Sequence, residues 1–91
     1  MLKLLYTNQF KKDYKLAIRR GCDAKKLEKV LNFLCNGDSL PEKNRDHMLL
    51  NSREYKGVRE CHISPDWLLI YKVENNELHL IRTGSHSDLF G

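Results

Sequence analysis

Trp67-Leu68-Leu69-Ile70-Tyr71-Lys72-Val73 is followed by Asn75-Asn76 and then by Leu78-His79-Leu80-Ile81-Arg82-Thr83. The first run is nearly all apolar, as a central strand must be when both faces of its sheet are covered. Asn75-Asn76 tolerates positive φ at two successive positions and predicts a tight hairpin into a strand over 78–83. Upstream, Ser64-Pro65-Asp66 reads as a turn, because proline presets φ and the aspartate can bond the backbone beyond it. That turn closes an earlier strand over 55–63, in which charged residues are interleaved. Gly84 breaks the last strand, and Ser85 with Asp88 resembles a capping box opening one final helical turn.

The first half of the chain reads differently. Leu2-Lys3-Leu4-Leu5-Tyr6 suggests a short strand. Asn8 can cap a helix whose apolar positions Phe10, Tyr14, Ala17 and Ile18 fall on one stripe, with Lys12, Lys15 and Arg19 opposite. Gly21 offers a left-handed stop. A second helix starts at Asp23, carries Leu27, Val30, Leu31 and Leu34, and stops at Gly37. A polar loop over 38–54 follows. The order β-α-α-β-β-β predicts an α+β fold, a helical hairpin on one face of a mostly antiparallel four-stranded sheet, with a short C-terminal helical turn. The opposite face and its rim loops are left for function.

At 91 residues there is room for one domain, residues 1–91. A chain of this size buries only about 60–65% of its unfolded surface. Residues 1–35 hold nine Lys/Arg against three Asp/Glu, a balance of +6, and residues 36–91 hold seven against nine, a balance of −2. That asymmetry suits a polyanionic partner, although a solvated helical face would look the same. Three cysteines without a CxxC pair argue against a disulfide framework and read as small buried hydrophobes. The N-terminus lacks a signal-peptide core, and no apolar run approaches the ~20 residues that span a bilayer. The expectation is a soluble cytoplasmic protein.

Candidate chemistry clusters on strand ends and turns. His62 ends one strand, Asp66 lies in the next turn, and His86 follows the last strand. If those strands are neighbours, the three side chains converge at one edge of the sheet. Imidazole titrates near ~6.5 and can give and take a proton near neutrality. Cleavage of a phosphodiester by its adjacent 2′-hydroxyl needs one group to remove that proton and another to protonate the departing 5′-oxygen. It also needs cations for the phosphorane charge, for which Arg82, Arg59 and Lys56 are at hand. Each residue has a structural reading too: His62 as a core histidine, Asp66 as the expected turn residue, Arg82 as a solvated charge, Trp67 and Phe90 as packing. His47, His62, His86 and the cysteines show no short metal-ligand spacing, so no metal site is expected.

The tail Arg82-Thr83-Gly84-Ser85-His86-Ser87-Asp88-Leu89-Phe90 resembles the R-[TL]-G-[ST]-H-x-x-L-F ending of YafQ-type toxins in the RelE superfamily. Gly57-Val58-Arg59-Glu60-Cys61-His62-Ile63-Ser64-Pro65-Asp66-Trp67-Leu68-Leu69-Ile70-Tyr71 is similar to that family's G-x-R-[DE]-x-H-[VI]-x-P-D-[WV]-[IL]-L-[IV]-Y block, and Asp46-His47 to the D-H before it. The resemblance implies a toxin that cuts mRNA in the ribosomal A site without metal or cofactor. Its partners would be 16S and 23S rRNA and a cognate antitoxin. It implies His86 as general acid, Asp66 with His62 as, or orienting, the base, Arg82 with Lys56 or Arg59 on the phosphorane, and His47 completing the set. Trp67 and Phe90 would meet the substrate. One departure stands out: the stretch from His47 to Arg59 is longer than the family's usual spacing, with Asn51 near where glycine is common. The alternative within the superfamily is a non-catalytic ParE-like toxin that binds DNA gyrase and needs no His62/Asp66/His86 set. A purely structural RNA- or protein-binding domain is a third, favoured if those three residues lie far apart.

Overall fold

The computed structural model describes residues 1–49 and 57–91. Strand β1 (Lys3–Tyr6) leads to helices α1 (Asn8–Arg19) and α2 (Ala24–Cys35), then to a 3-10 turn (Glu42–Asn44) and a two-residue strand β2 (His47–Met48). Strands β3 (Arg59–Ser64), β4 (Trp67–Glu74) and β5 (Glu77–Gly84) follow, and helix α3 (His86–Phe90) ends the chain. The sheet has five strands in the order β1-β5-β4-β3-β2. The expected four become five because β2 pairs His47 with Glu60 and Met48 with Arg59, too short a segment to show a period. The sheet is also mixed: β1 runs parallel to β5, and the other pairs are antiparallel.

Strand β4 explains the architecture. Its odd positions Trp67, Leu69 and Tyr71 join Phe10, Ala17, Leu27, Val30 and Leu34 in the core under the helical hairpin. Leu68 and Ile70 point the other way, into a smaller cluster with Val58 and Leu89 of α3. A strand buried on both faces has no position for a polar side chain, hence its continuous apolar run. Each fully buried leucine or isoleucine in it contributes roughly 1.5–3 kcal/mol by leaving water. The Asn75-Asn76 hairpin forms as expected, with φ of 53° and 62°, the geometry of a turn whose twist matches its strands.

Two local details differ from the sequence reading. Thr7, not Asn8, caps α1: its hydroxyl oxygen accepts from the Phe10 amide at 2.9 Å while its hydroxyl donates to the Ile81 carbonyl at 2.7 Å. A threonine can serve α1 and β5 at once, and Asn8 is left as the first helical residue. The buried stripe of α1 is Phe10, Asp13 and Ala17, whereas Ile18 is exposed. An aspartate therefore faces the core. The described part of the strand expected over 55–63 starts at Arg59, with Tyr55 and Lys56 outside the described residues. No helix among the described residues is long and apolar enough to cross a membrane.

Candidate active site

Period-2 alternation sends Arg59, Cys61 and Ile63 of β3 toward the helices and Glu60 and His62 to the opposite face. Cys61 is fully buried and its thiol is pushed up to about 12 by desolvation, so it packs as a hydrophobe. The Asn44 side-chain amide donates to the His62 backbone carbonyl at 2.7 Å, tying the 3-10 turn to the end of β3.

His86 is the first residue of α3. The Ser85 hydroxyl accepts from the Asp88 amide at 3.1 Å, and the Asp88 carboxylate accepts from the Ser85 amide at 3.0 Å, the reciprocal pair expected from sequence. Arg20, the C-cap of α1, adds an ion pair to Asp88 at 2.7 Å. Asp66, in the β3–β4 turn, accepts from the His86 backbone amide at 3.2 Å and sits 3.1 Å from its Nδ1. The His62 and His86 rings then lie 5.6 Å apart, edge to face. His62, Asp66 and His86 are thus brought together, as the adjacency of β3, β4 and β5 suggested.

Glu60 was not singled out by its sequence. Its carboxylate is nearly buried, 3.2 Å from His47 Nε2 and 3.8 Å from His62 Nε2. A buried carboxylate needs partners, and two imidazoles supply them. The result is a line of three imidazoles and two acids: His47, Glu60, His62, His86, Asp66. The signal was available, since Glu60 is two residues before His62 on the same strand face.

Other expected residues lie elsewhere. Arg59 bonds Asp46 at 3.2 Å beside the Tyr71 hydroxyl, which donates to the same oxygen. That hydrogen bond to Asp46 raises the Arg59 guanidinium further above its usual range. Burial, with Asp46 beside it, pushes the Tyr71 phenol well up. Trp67 is 3% exposed; its indole lies in the helix-side core and cannot stack on a base. Arg82 makes two hydrogen bonds to Asp13 of α1, each of 3.0 Å, and shares a surface recess with Asp66 and Ser85. Phe90, half-exposed, lies four residues after His86 on the same side of α3. Lys56 falls outside the described residues.

The hydrogen bond from the His86 ring lowers the Asp66 carboxyl below its ordinary value, assisted by the His86 amide. Asp88 is lowered chiefly by the Ser85 amide, and by Arg20. Depressed carboxylates contribute stability that is complete above their unfolded pKa and lost as pH falls through the folded one. The docking of α3 is therefore expected to persist down to the reference value of 3.8 and to loosen below it. Leu89 methyl shifts followed by NMR during acid titration check this. Release of α3 well above that value would contradict the assignment.

A family described as bacterial toxin of type II toxin–antitoxin system, YafQ, matches residues 2–91. The mRNA interferase toxin YafQ of Escherichia coli strain B is 45% identical over 87 residues, covering 94% of this chain and 92% of that protein. The fold superposes on the toxin in the E. coli DinJ–YafQ complex with a TM-score of 0.88 at 42% identity, over the whole of both chains. A copper-bound toxin variant from Helicobacter pylori superposes with a TM-score of 0.91 at 41% identity, over 99% of this chain and all of that one. A match along almost the entire length, together with this fold, places the chain in the YafQ family of type II toxin–antitoxin toxins.

Proposed function

We propose that this chain is the toxin of a type II toxin–antitoxin module and an endoribonuclease that cleaves mRNA, arresting translation in the bacterial cytoplasm. E. coli relatives bear the name mRNA interferase toxin. The observation that carries the chemistry is the His62–His86 pair, with Asp66 against one ring and Glu60 near the other. The DinJ–YafQ complex supports a cognate antitoxin as partner. mRNA in the ribosomal A site, bordered by rRNA, is the substrate this reading implies.

RNA carries its own nucleophile. The 2′-oxygen bonds to phosphorus as its proton leaves, and the bond from phosphorus to the 5′-oxygen breaks as that oxygen gains a proton. The products are a 2′,3′-cyclic phosphate and a 5′-hydroxyl, and no metal or cofactor enters the balance. Asp66 accepts Nδ1–H of the His86 imidazolium, which leaves the second proton, on Nε2, to pass to the leaving oxygen and the ring neutral after the step. Held below the usual carboxylate range, Asp66 is a weak base and serves as the orienter. His62 takes the 2′-hydroxyl proton, and Glu60 with His47 holds it in place. Arg82, fixed by Asp13, supplies positive charge to the phosphorane, and Phe90 packs beside the substrate.

Primer-extension mapping of an mRNA incubated with the purified protein, with and without ribosomes, tests the reading. Cleavage that occurs with ribosomes and is absent without them is expected. Intact mRNA with trapped gyrase–DNA complexes would instead establish the ParE-like alternative.

Gly84 is a second probe of the same site. Its φ is +158°, and an added Cβ would lie 2.9 Å from Asp88 Cβ and 3.0 Å from its Oδ2. Gly84→Ala must push Asp88 aside, which opens the capping box and shifts His86. We expect about 1 kcal/mol of destabilisation but a loss of cleavage approaching 10²-fold, the scale on which ~1 Å of misplacement acts. Activity within twofold of wild type would show that α3 need not be held in this position.

A further inference from the structure

Beside the histidine cluster runs a groove of about 610 Å³ between α2, the 3-10 turn and the end of β3. Lys26, Lys29 and Phe33 line it from α2 at i, i+3 and i+7, one helical stripe. Lys43 and Arg45 line it from the loop, and His62 belongs to its wall. The lining holds four Lys/Arg and no Asp or Glu. Among the described residues none of those four cations is ion-paired to an acid. Unpaired cations converging from separate elements raise the local potential and attract a polyanion.

Arg45 adds a second observation. It ends the 3-10 turn in the left-handed region, at φ 45° and ψ 48°, where glycine or asparagine is the unstrained choice. A bulky residue held there, with its side chain on the groove, trades backbone comfort for a charge at that spot. Ser64 and Pro65 line the groove and Asp66, the next residue of the turn, contacts His86, so a strand whose phosphodiester reaches His62 and His86 meets this groove around the β3–β4 turn.

We infer that the groove between α2 and the 3-10 turn is the track for the single-stranded RNA flanking the cleaved bond. Lys26, Lys29, Lys43 and Arg45 contact its phosphates, and half-buried Phe33 faces a base. The inference rests on the endoribonuclease reading and adds where the rest of the substrate lies. An acidic polypeptide is the other polyanion that could occupy the groove. Continuity with the catalytic histidines favours RNA.

The test is binding of a single-stranded 2′-O-methyl RNA oligonucleotide of mixed sequence, which lacks the attacking hydroxyl, measured by fluorescence anisotropy over a salt series. Each phosphate contact contributes about 0.7 to the slope of log K against log salt for single strands. Lys26→Ala/Lys29→Ala is expected to flatten the slope by about 1.4, and Lys43→Ala or Arg45→Gly by about 0.7 each. Arg45→Gly suits the left-handed backbone, so it keeps the wild-type melting temperature or exceeds it while one phosphate contact is lost. Lys11→Ala/Lys12→Ala, exposed on α1 and outside the groove, removes the same charge and is expected to leave the slope unchanged. Equal losses from the α1 pair, or wild-type slopes in the groove variants, overturn the proposal. So does a groove whose variants weaken binding of oligoglutamate but not of the RNA. Wild-type cleavage of mRNA in a translation extract is scored in parallel. If it occurs while groove variants bind normally, only the groove assignment falls; if it is absent, the endoribonuclease reading falls with it.

Discussion

Replacing His86 by alanine is expected to lower mRNA cleavage by roughly two to four orders of magnitude, the usual worth of a positioned general acid. The side chain is more than half exposed, and among the described residues its polar and ring contacts are with Asp66 and His62. Alanine keeps the backbone amide that Asp66 accepts from, and it leaves the Ser85–Asp88 capping box intact. The fold should therefore lose no more than about 0.5 kcal/mol, as for surface substitutions away from special features. Primer extension reads the loss, and thermal unfolding shows that the protein remains native. Cleavage within tenfold of wild type would require the leaving group to be protonated by some other residue or by water.

The second large effect is on stability. Asp13→Ala is expected to cost about 3 kcal/mol, because it removes an acceptor that serves four donors at once. Those donors are Arg82 Nε and Nη2 at 3.0 Å each, the Thr83 amide at 3.2 Å and the Gln9 amide at 3.0 Å. Thr83 is 1% exposed, so water cannot easily replace the lost partner of its amide. Truncating one member of a largely buried, hydrogen-bonded charge pair costs more than the net worth of the pair, since the other charge is stranded. For a domain of this size each kcal/mol moves the melting temperature by roughly 4–8 °C, so calorimetry resolves the change easily. Asp13→Asn, which keeps an acceptor but loses the charge, should fall between. A shift below about 1 kcal/mol would show that the Arg82–Asp13 bridge is decorative.

Residues that interact with near neighbours in sequence were the legible ones. The apolar run of β4, the Asn75-Asn76 hairpin and the Ser85/Asp88 capping box each state a local rule, and the chain obeys all three. The approach of His62, Asp66 and His86 followed from strand adjacency alone. The parallel pairing of β1 with β5 joins residues more than seventy positions apart, and no period or turn in either segment announces it. Asp13 was hidden differently. Its partners Arg82 and Thr83 sit on the far end of the chain, so nothing near Asp13 in the sequence marks it as a core-facing residue. Glu60 could have been found, because alternation along β3 puts it beside His62. Reading it as one of the strand's interleaved charges missed that it was the buried one.

The pairing of the first strand with the last has a consequence for synthesis. Lys3–Tyr6 is synthesised more than seventy residues before its hydrogen-bonding partner in Glu77–Gly84. Nucleation on such non-local contacts waits for the whole chain, and folding is slow for the same reason. A nascent chain short of its last strand has neither a closed sheet nor His86. The approach of His62 and His86 therefore waits for β5 and α3 to be made, and the strand order sets a delay between synthesis of the first elements and completion of the candidate site.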